Sequence, residues 1–172
     1  MAKVLVIRLS AIGDVAMTVP VIYSAAKANP EDSFTVLTQA FLMPLFMNRP
    51  PNVEVIGINT KGAEKGLIGL LKFISALLKF DFDVILDLHN VIRTIIICTF
   101  FRLNGKRVFV LDKARKERKR LTAIKGKRLY PLRPVIVRYA DVFRAAGLNY
   151  TETFTSLYEE FPAELSGICL LY

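Results

Sequence analysis

Hydrophobic and polar positions divide the chain into two kinds of segment. Five short runs rich in β-branched residues, at 3–9, 33–38, 53–58, 83–88 and 107–111, predict β-strands. Apolar positions at helical spacing predict helices from the turn at 10–14 to about residue 29, at 66–80, 91–103 and 134–146, and a helical turn at 40–46. Strands that alternate with helices over short connections must run parallel.

This alternation predicts an α/β fold, a Rossmann-like open parallel sheet with helices on both faces. Ligands of such sheets bind outside the carboxyl ends of the strands, where the strand order reverses. We therefore expect the turn after the first strand to border a binding crevice. Pro20 fits the first turn of a helix and Gly147 fits the position just after one.

Two stretches depart from the alternation. Residues 113–133 are basic and interrupted by proline, which predicts a surface loop with room for one exposed helical turn. Residues 1–150 form the predicted domain, and 151–172 are expected to be a linker or the start of a further domain. The apolar residues 168–172 could be a last strand of this sheet or the first residues of such a domain.

The apolar content raises the question of a membrane span. Hydrophobic residues make up 53% of the 172, but the most apolar later run, 94–101, is well short of the roughly 20 residues that a spanning helix needs. Strands of a parallel sheet covered on both faces account for the excess. Cys98 and Cys169 have no metal-binding or redox spacing, so we expect no metal site and a reducing, cytoplasmic location. Isoleucine and phenylalanine residues flank Cys98, which predicts a core position for it.

The positive charge is concentrated in one region. The net charge is +9, and residues 102–138 contain 14 Lys or Arg against 2 acidic residues. This region is either a solvated surface or a binding surface for something anionic. Between 113 and 133 the one aromatic residue is Tyr130. Without aromatic platforms, a role in binding single-stranded nucleic acid is not expected.

The candidate chemistry begins in the first turn, VIRLSAIGDVAMTVP at residues 6–20. Its single glycine fits neither a dinucleotide fingerprint nor a phosphate-binding P-loop. Gly13 permits a tight turn or the close approach of a ligand. Asp14 would then stand at a helix N-terminus, either as a helix cap or as a catalytic carboxylate.

The same stretch resembles the N-terminal signature of the glycosyltransferase family 9 heptosyltransferases. A second stretch, FDVILDLHNVIRT at residues 82–94, is similar to the family's motif at the fourth strand, although His89-Asn90 replaces Gln-Gly. A third, weaker similarity covers 134–148, the helix that ends the family's first domain. The resemblance implies the N-terminal half of a GT-B architecture, which holds the acceptor, while a C-terminal domain not contained in these residues holds the nucleotide-sugar.

The resemblance implies an inverting transfer of heptose from ADP-heptose to a lipopolysaccharide core acceptor. It also implies that Asp14 is the general base and that the reaction needs no cofactor. The chain by itself is expected to be inactive. Because the acceptor is anionic and sits on a lipid, contact with the anionic inner face of the cytoplasmic membrane is expected. The competing hypothesis is a non-catalytic basic α/β module that binds nucleic acid or an anionic membrane surface.

The predicted acceptor-binding residues come from both motifs and from the basic segment. His89 could equally make a structural hydrogen bond, and Arg93 could be a surface residue at a helix start. The full set is Ser10, Gly13, His89, Asn90, Arg93, Arg115, Arg118 and Arg120.

Overall fold

The computed structural model describes residues 1–62, 64–122 and 130–158. All five strands occur where the apolar runs predict them, with ends that differ by at most two residues. They are β1 (Lys3–Ile7), β2 (Ser33–Gln39), β3 (Val53–Ile58), β4 (Val84–Asp87) and β5 (Arg107–Val110). Every pairing is parallel and the order is β3-β2-β1-β4-β5. The predicted Rossmann-like sheet is thus confirmed.

Six α-helices and one 3₁₀ helix connect or follow the strands in the described residues. They are α1 (Ile12–Ala16), α2 (Val19–Ala28), the 3₁₀ helix Ala40–Phe46, α3 (Gly66–Leu78), α4 (Ile92–Leu103), α5 (Arg115–Leu121) and α6 (Val135–Ala145). Gly147 has a φ of 83° just after the α6 C-cap, so its predicted position as a helix terminator is confirmed.

Each face of the sheet has its own hydrophobic core. On one face, alternate residues of the central strands pack with α2, α6 and the 3₁₀ helix. On the other face, the intervening strand residues pack with α3 and α4. Both faces are therefore covered, as the continuous apolar runs predict. Cys98 is buried in the second core, and its burial raises the pKa of its thiol to about 12.

The prediction of one continuous first helix was wrong. The segment divides into α1 and α2, with Met17 and Thr18 between them. Pro20 has no N–H and cannot bond to the carbonyl four residues earlier. The Thr18 hydroxyl also donates to the Val15 carbonyl at 2.6 Å. The chain therefore turns between the two helices.

In the basic segment, the exposed helical turn that the sequence allows is present but is longer than one turn. Residues 115–121 form the seven-residue helix α5, in which the charged side chains are exposed. The remainder of the prediction falls partly on residues 123–129, which lie outside the described residues, as do Cys169 and the apolar end at 168–172.

The described part of the C-terminal segment crosses back over α2. The Ser24 hydroxyl accepts hydrogen bonds from the backbone N–H groups of Thr153 and Phe154, both at 3.1 Å. Phe154 also packs edge-on against Tyr23, with ring centroids 6.1 Å apart. Residues 151–158 are therefore packed against the first domain. In the described ranges, the longest apolar helices are too short to traverse a bilayer.

Candidate functional site

The candidate site lies where the strand order reverses, between β1 and β4. Ile7 and Asp87, the last residues of these strands, are neighbours in the register, and the Leu88 N–H donates to the Ile7 carbonyl at 3.0 Å. Beyond the strands the two turns meet. The Ser10 hydroxyl oxygen lies 3.4 Å from the His89 Nε2. The crevice expected after the first strand therefore exists.

A cavity of about 260 Å³ opens beside these turns. Four of its side chains are cationic and one, Asp14, is acidic. The cationic ones are Arg8, Lys113, Arg118 and Arg138. The remaining lining is Ser10, Ala11, His89, Leu111, Val135 and Tyr139. The turns after β1 and β4, the segment around α5 and helix α6 thus form a positively charged cavity around a single carboxylate.

Asp14 lies in the first turn of α1 and points to this cavity. The N-cap residue is Ala11, and no side chain caps the helix. The interpretation of Asp14 as a helix cap was therefore wrong. Its Oδ2 instead accepts a hydrogen bond from an Arg8 terminal nitrogen, and its side chain is 41% exposed. No described residue donates to Oδ1, so this oxygen can accept a proton from a ligand.

Arg8 fixes the position of that carboxylate. Its side chain is 8% exposed, and its second terminal nitrogen donates to the Leu88 carbonyl at 2.6 Å. The guanidinium also lies 5.9 Å from the centre of the Tyr139 ring, within the range of a cation–π contact. Arg8 thus connects Asp14, the turn after β4 and α6. The sequence signal for it was a charged residue inside an apolar strand run.

His89 is kept neutral by its surroundings. Partial burial and the nearby charge of Arg8 lower its pKa to about 4. Its Nδ1 is buried and has no hydrogen-bond partner among the residues that the structure describes. A neutral imidazole beside Ser10 can exchange hydrogen bonds with a ligand hydroxyl without adding charge.

Asp87 shapes the turn that carries His89. It is fully buried, and its Oδ1 accepts hydrogen bonds from the backbone N–H groups of His89 and Asn90, at 2.9 and 2.8 Å. Its Oδ2 accepts from the Thr94 hydroxyl at 2.8 Å. These bonds hold Asn90 at a φ of 51°, which few residues other than glycine adopt readily. Nothing in the sequence marks Asp87 for this role.

A second cavity, of about 450 Å³, adjoins the first through Leu111 and Lys113. Asn90 and Arg115 line it. Partial burial, together with the positive charges of Arg115 and Arg8, lowers the pKa of Lys113. Cations are therefore crowded in this region, and an anionic ligand would relieve their mutual repulsion.

The structure brings together some of the predicted residues. Ser10, Asp14, His89 and Arg118 line the first cavity, and Asn90 and Arg115 line the second. Gly13 is exposed one residue before Asp14, with open space around the position of a Cβ atom.

The other two predicted residues lie elsewhere. Arg93 donates to the Glu64 carbonyl at 3.0 Å, and Arg120 is exposed on α5; neither lines these cavities. Lys113, Arg138 and Tyr139 line the first cavity but were not singled out from the sequence. Within 1–62, 64–122 and 130–158, no three His, Cys, Asp or Glu side chains are grouped to hold a metal ion.

Comparison with known proteins supports the fold that the motifs imply. No protein-family profile matches the chain, and no curated protein sequence is similar to it. A glycosyltransferase family 9 structure from Veillonella parvula is similar over 86% of this chain and 42% of its own, with 21% identity and a TM-score of 0.62.

Two E. coli enzymes give comparable results. Heptosyltransferase WaaC with ADP is similar over 90% of this chain and 49% of its own, with 22% identity and a TM-score of 0.59. ADP-heptose lps heptosyltransferase II is similar over 81% of this chain and 39% of its own, with 20% identity and a TM-score of 0.53. The chain thus spans less than half the length of these three structures. It shares the fold found in structures of glycosyltransferase family 9, as the sequence resemblance indicates.

Proposed function

We propose that this chain is the acceptor-binding half of an inverting glycosyltransferase of the heptosyltransferase kind. One observation supports this proposal above all others. The Asp14 carboxylate, 41% exposed and held by Arg8, lies in a cationic cavity where the order of the strands reverses. A carboxylate in this position can meet an incoming sugar hydroxyl, and the surrounding cations can hold an anionic sugar.

Asp14 would act as the general base. As the acceptor oxygen attacks the anomeric carbon, its proton passes to the Asp14 carboxylate, the bond from the anomeric carbon to the phosphate oxygen breaks, and the nucleoside diphosphate leaves with the electron pair. General-base assistance of this type contributes about 10²–10⁴-fold to a rate. Arg8 would serve as a positioning residue, because it binds one carboxylate oxygen and leaves the other directed to the ligand.

The four cations around Asp14 favour an acceptor that carries carboxylate or phosphate groups. Arginine binds such groups with two parallel hydrogen bonds, and Arg118 lines this cavity. Arg8, Lys113 and Arg138 add positive charge around it. The lipopolysaccharide inner core is an acceptor of this chemistry. Ser10 and His89 would contact its hydroxyl groups, and Asn90 and Arg115 would extend the binding surface into the second cavity.

The donor in this proposal is ADP-heptose, bound by a second domain of the GT-B type. One of the similar structures is WaaC with ADP-2-deoxy-2-fluoro heptose, a compound of this class. On this proposal the chain alone binds acceptor and transfers little sugar. The reaction takes place at the cytoplasmic face of the membrane, where both substrates would meet.

The test is a transfer assay on the chain joined to the nucleotide-sugar-binding domain of a heptosyltransferase. Mass spectrometry follows the addition of heptose to a lipopolysaccharide core acceptor. Two arginines on α5 provide a matched pair, because Arg118 lines the cavity and Arg120 does not. Arg118→Gln should raise the acceptor KM about tenfold, the loss of one charge-assisted contact, whereas Arg120→Gln should change it little.

Two results would contradict the proposal. One is a joined protein that folds and binds ADP-heptose but transfers no sugar to any anionic acceptor. The other is tight, salt-sensitive binding of nucleic acid in a filter assay, which is the behaviour expected of a basic nucleic-acid-binding module.

A further inference from the structure

Helix α3 presents an apolar face that no described part of the protein covers. Leu67, Ile68 and Leu71 are exposed by 60, 73 and 38%. An adjacent face of the same helix is buried against the sheet through Leu70, Ile74 and Leu77. The helix is thus apolar on two sides, although packing against the sheet needs only one.

Lysine side chains border the exposed apolar face. Lys65 precedes α3, Lys72 lies within it and Lys79 follows it, and all three are exposed. Their spacing of seven residues, about two turns, places them on one side of the helix. Lys72 follows Ile68 by four residues, so the row of lysines adjoins the apolar face. Residues 65–80 contain no acidic side chain.

The neighbouring helix extends this surface. Ile92 and Ile95, in the first turns of α4, are exposed by 80 and 46%. Arg93 lies between them and donates to the Glu64 carbonyl, which ties the start of α4 to the segment that leads into α3. We call Leu67, Ile68, Leu71, Ile92 and Ile95, with the three lysines, the α3 patch.

The position of the α3 patch relates it to the cavity. Both helices begin after strands that end at the carboxyl edge of the sheet, the edge at which Asp14 and His89 lie. The apolar residues of the α3 patch lie in the first turns of these helices, so an object that contacts them would lie at the same edge as the cavity.

We propose that the α3 patch binds the surface of an anionic lipid bilayer. Apolar side chains that enter the boundary between headgroups and acyl chains, next to lysines that pair with anionic headgroups, are typical of helices that lie in a membrane surface. A protein partner fits this composition less well, because lysine is depleted in protein–protein interfaces. The inference concerns membrane docking and does not depend on the proposed sugar transfer.

The α3 patch differs from the basic segment, which the sequence indicates is either a solvated surface or a binding surface for something anionic. Helix α5 carries five cationic side chains, but its single apolar residue, Leu121, is only half-exposed. It offers charge without an apolar anchor. We therefore assign the membrane contact to α3 and leave α5 to the acceptor.

The test is sedimentation of the 172-residue chain with phosphatidylcholine vesicles that contain either no phosphatidylglycerol or roughly one third of it. We expect binding to the anionic vesicles. Leu67→Glu with Ile68→Glu should weaken that binding about tenfold or more, because both substitutions place a carboxylate against anionic headgroups. Lys72→Glu should weaken it about fivefold or more.

Two control variants make the result specific. Leu103→Glu changes a leucine that is 78% exposed at the far end of α4, and should leave binding unchanged. Lys116→Glu with Lys119→Glu removes charge from α5 and should have less effect than the change in α3. All the substituted residues are exposed, so circular dichroism and thermal unfolding should show intact folds.

The proposal is overturned if the parent chain does not bind anionic vesicles. It is also overturned if Leu67→Glu with Ile68→Glu binds as well as Leu103→Glu, or if only the α5 variant loses binding. In the last case the basic segment is the membrane contact, and the proposed sugar transfer is unaffected by any of these outcomes.

Discussion

Two carboxylates at adjacent strand ends have opposite environments. Asp87, the last residue of β4, is fully buried and accepts hydrogen bonds from two backbone N–H groups and a threonine hydroxyl. Asp14, in the turn after β1, is 41% exposed and is bound by Arg8 alone among the described residues. The difference indicates that Asp87 holds the turn in place, while Asp14 remains available to a ligand.

The two turns depend on each other. Arg8 binds Asp14 with one nitrogen and the Leu88 carbonyl with the other, so the turn that Asp87 organises helps to hold the carboxylate that faces the cavity. The protein thus uses Asp87, a carboxylate with hydrogen bonds to both oxygens, to position Asp14, a carboxylate with a hydrogen bond to only one oxygen among the described residues. A carboxylate with an oxygen left open can accept a hydrogen bond from an incoming substrate.

The largest expected effect on stability comes from removing the Asp87 carboxylate. Asp87→Ala should lower the free energy of unfolding by about 3 kcal/mol or more, because it leaves two part-buried N–H groups without an acceptor and removes the buried acceptor of the Thr94 hydroxyl. Asp14→Ala, the matched substitution, should lower it by about 1 kcal/mol, since solvent screens an ion pair at a carboxylate that is 41% exposed. Urea denaturation measures both values. Equal losses would show that the two carboxylates are structural to the same extent.

A smaller effect is expected from His89, which lies in the turn after β4. Its pKa is about 4 in the folded protein against 6.5 in the unfolded chain. Between these pH values the unfolded state binds more protons, so stability is complete above about pH 6.5 and declines as the pH falls toward 4.

After allowance for solvent screening of a half-buried ring, the expected decline is about 1 kcal/mol. His89→Gln should remove this part of the pH dependence and leave the part due to carboxylates. The measurement is the difference between the urea-denaturation profiles of the two proteins at pH 4 and pH 7. If stability depends on pH in the same way in both proteins, the pKa of His89 is not lowered by folding.

The smallest effect on stability is expected at Gly13, where folding and ligand binding should respond in opposite directions. Gly13 lies in α1, where no neighbouring atom limits a Cβ atom and no positive φ requires glycine. Gly13→Ala should therefore stabilise the fold by about 0.5–1 kcal/mol. If an acceptor approaches the backbone at this point, the same change should weaken acceptor binding. Calorimetry and acceptor titration together would test this, and a destabilised variant would contradict it.

Much of the fold could be predicted from the sequence because each strand is a short, nearly continuous apolar run. The division between α1 and α2 was missed, since Pro20 is compatible with the first turn of any helix and does not reveal where the preceding helix ends. The length of helix α5 was underestimated because its residues are charged on all sides, so no apolar periodicity marks its ends.

The site could be predicted in part, from the motifs and from the basic segment that contains Arg115 and Arg118. The glycine and aspartate of the first turn pointed to Asp14, and the structure places Asp14 in a cavity. Asp87 could not be distinguished, because an aspartate at a strand end looks the same in sequence whether it is buried or exposed. Arg138 and Tyr139 belong to a helix far along the chain, and only the packing of α6 brings them to the cavity.

The most direct test of the central claim is the effect of Asp14→Asn on sugar transfer by the chain joined to a nucleotide-sugar-binding domain. The substitution preserves the shape of the side chain and removes its ability to accept a proton. The account predicts a transfer rate about 10²–10⁴-fold lower, with an acceptor Kd that changes by less than about threefold, well under one charge-assisted contact. A variant that transfers sugar as fast as its parent would contradict the claim that Asp14 is the base.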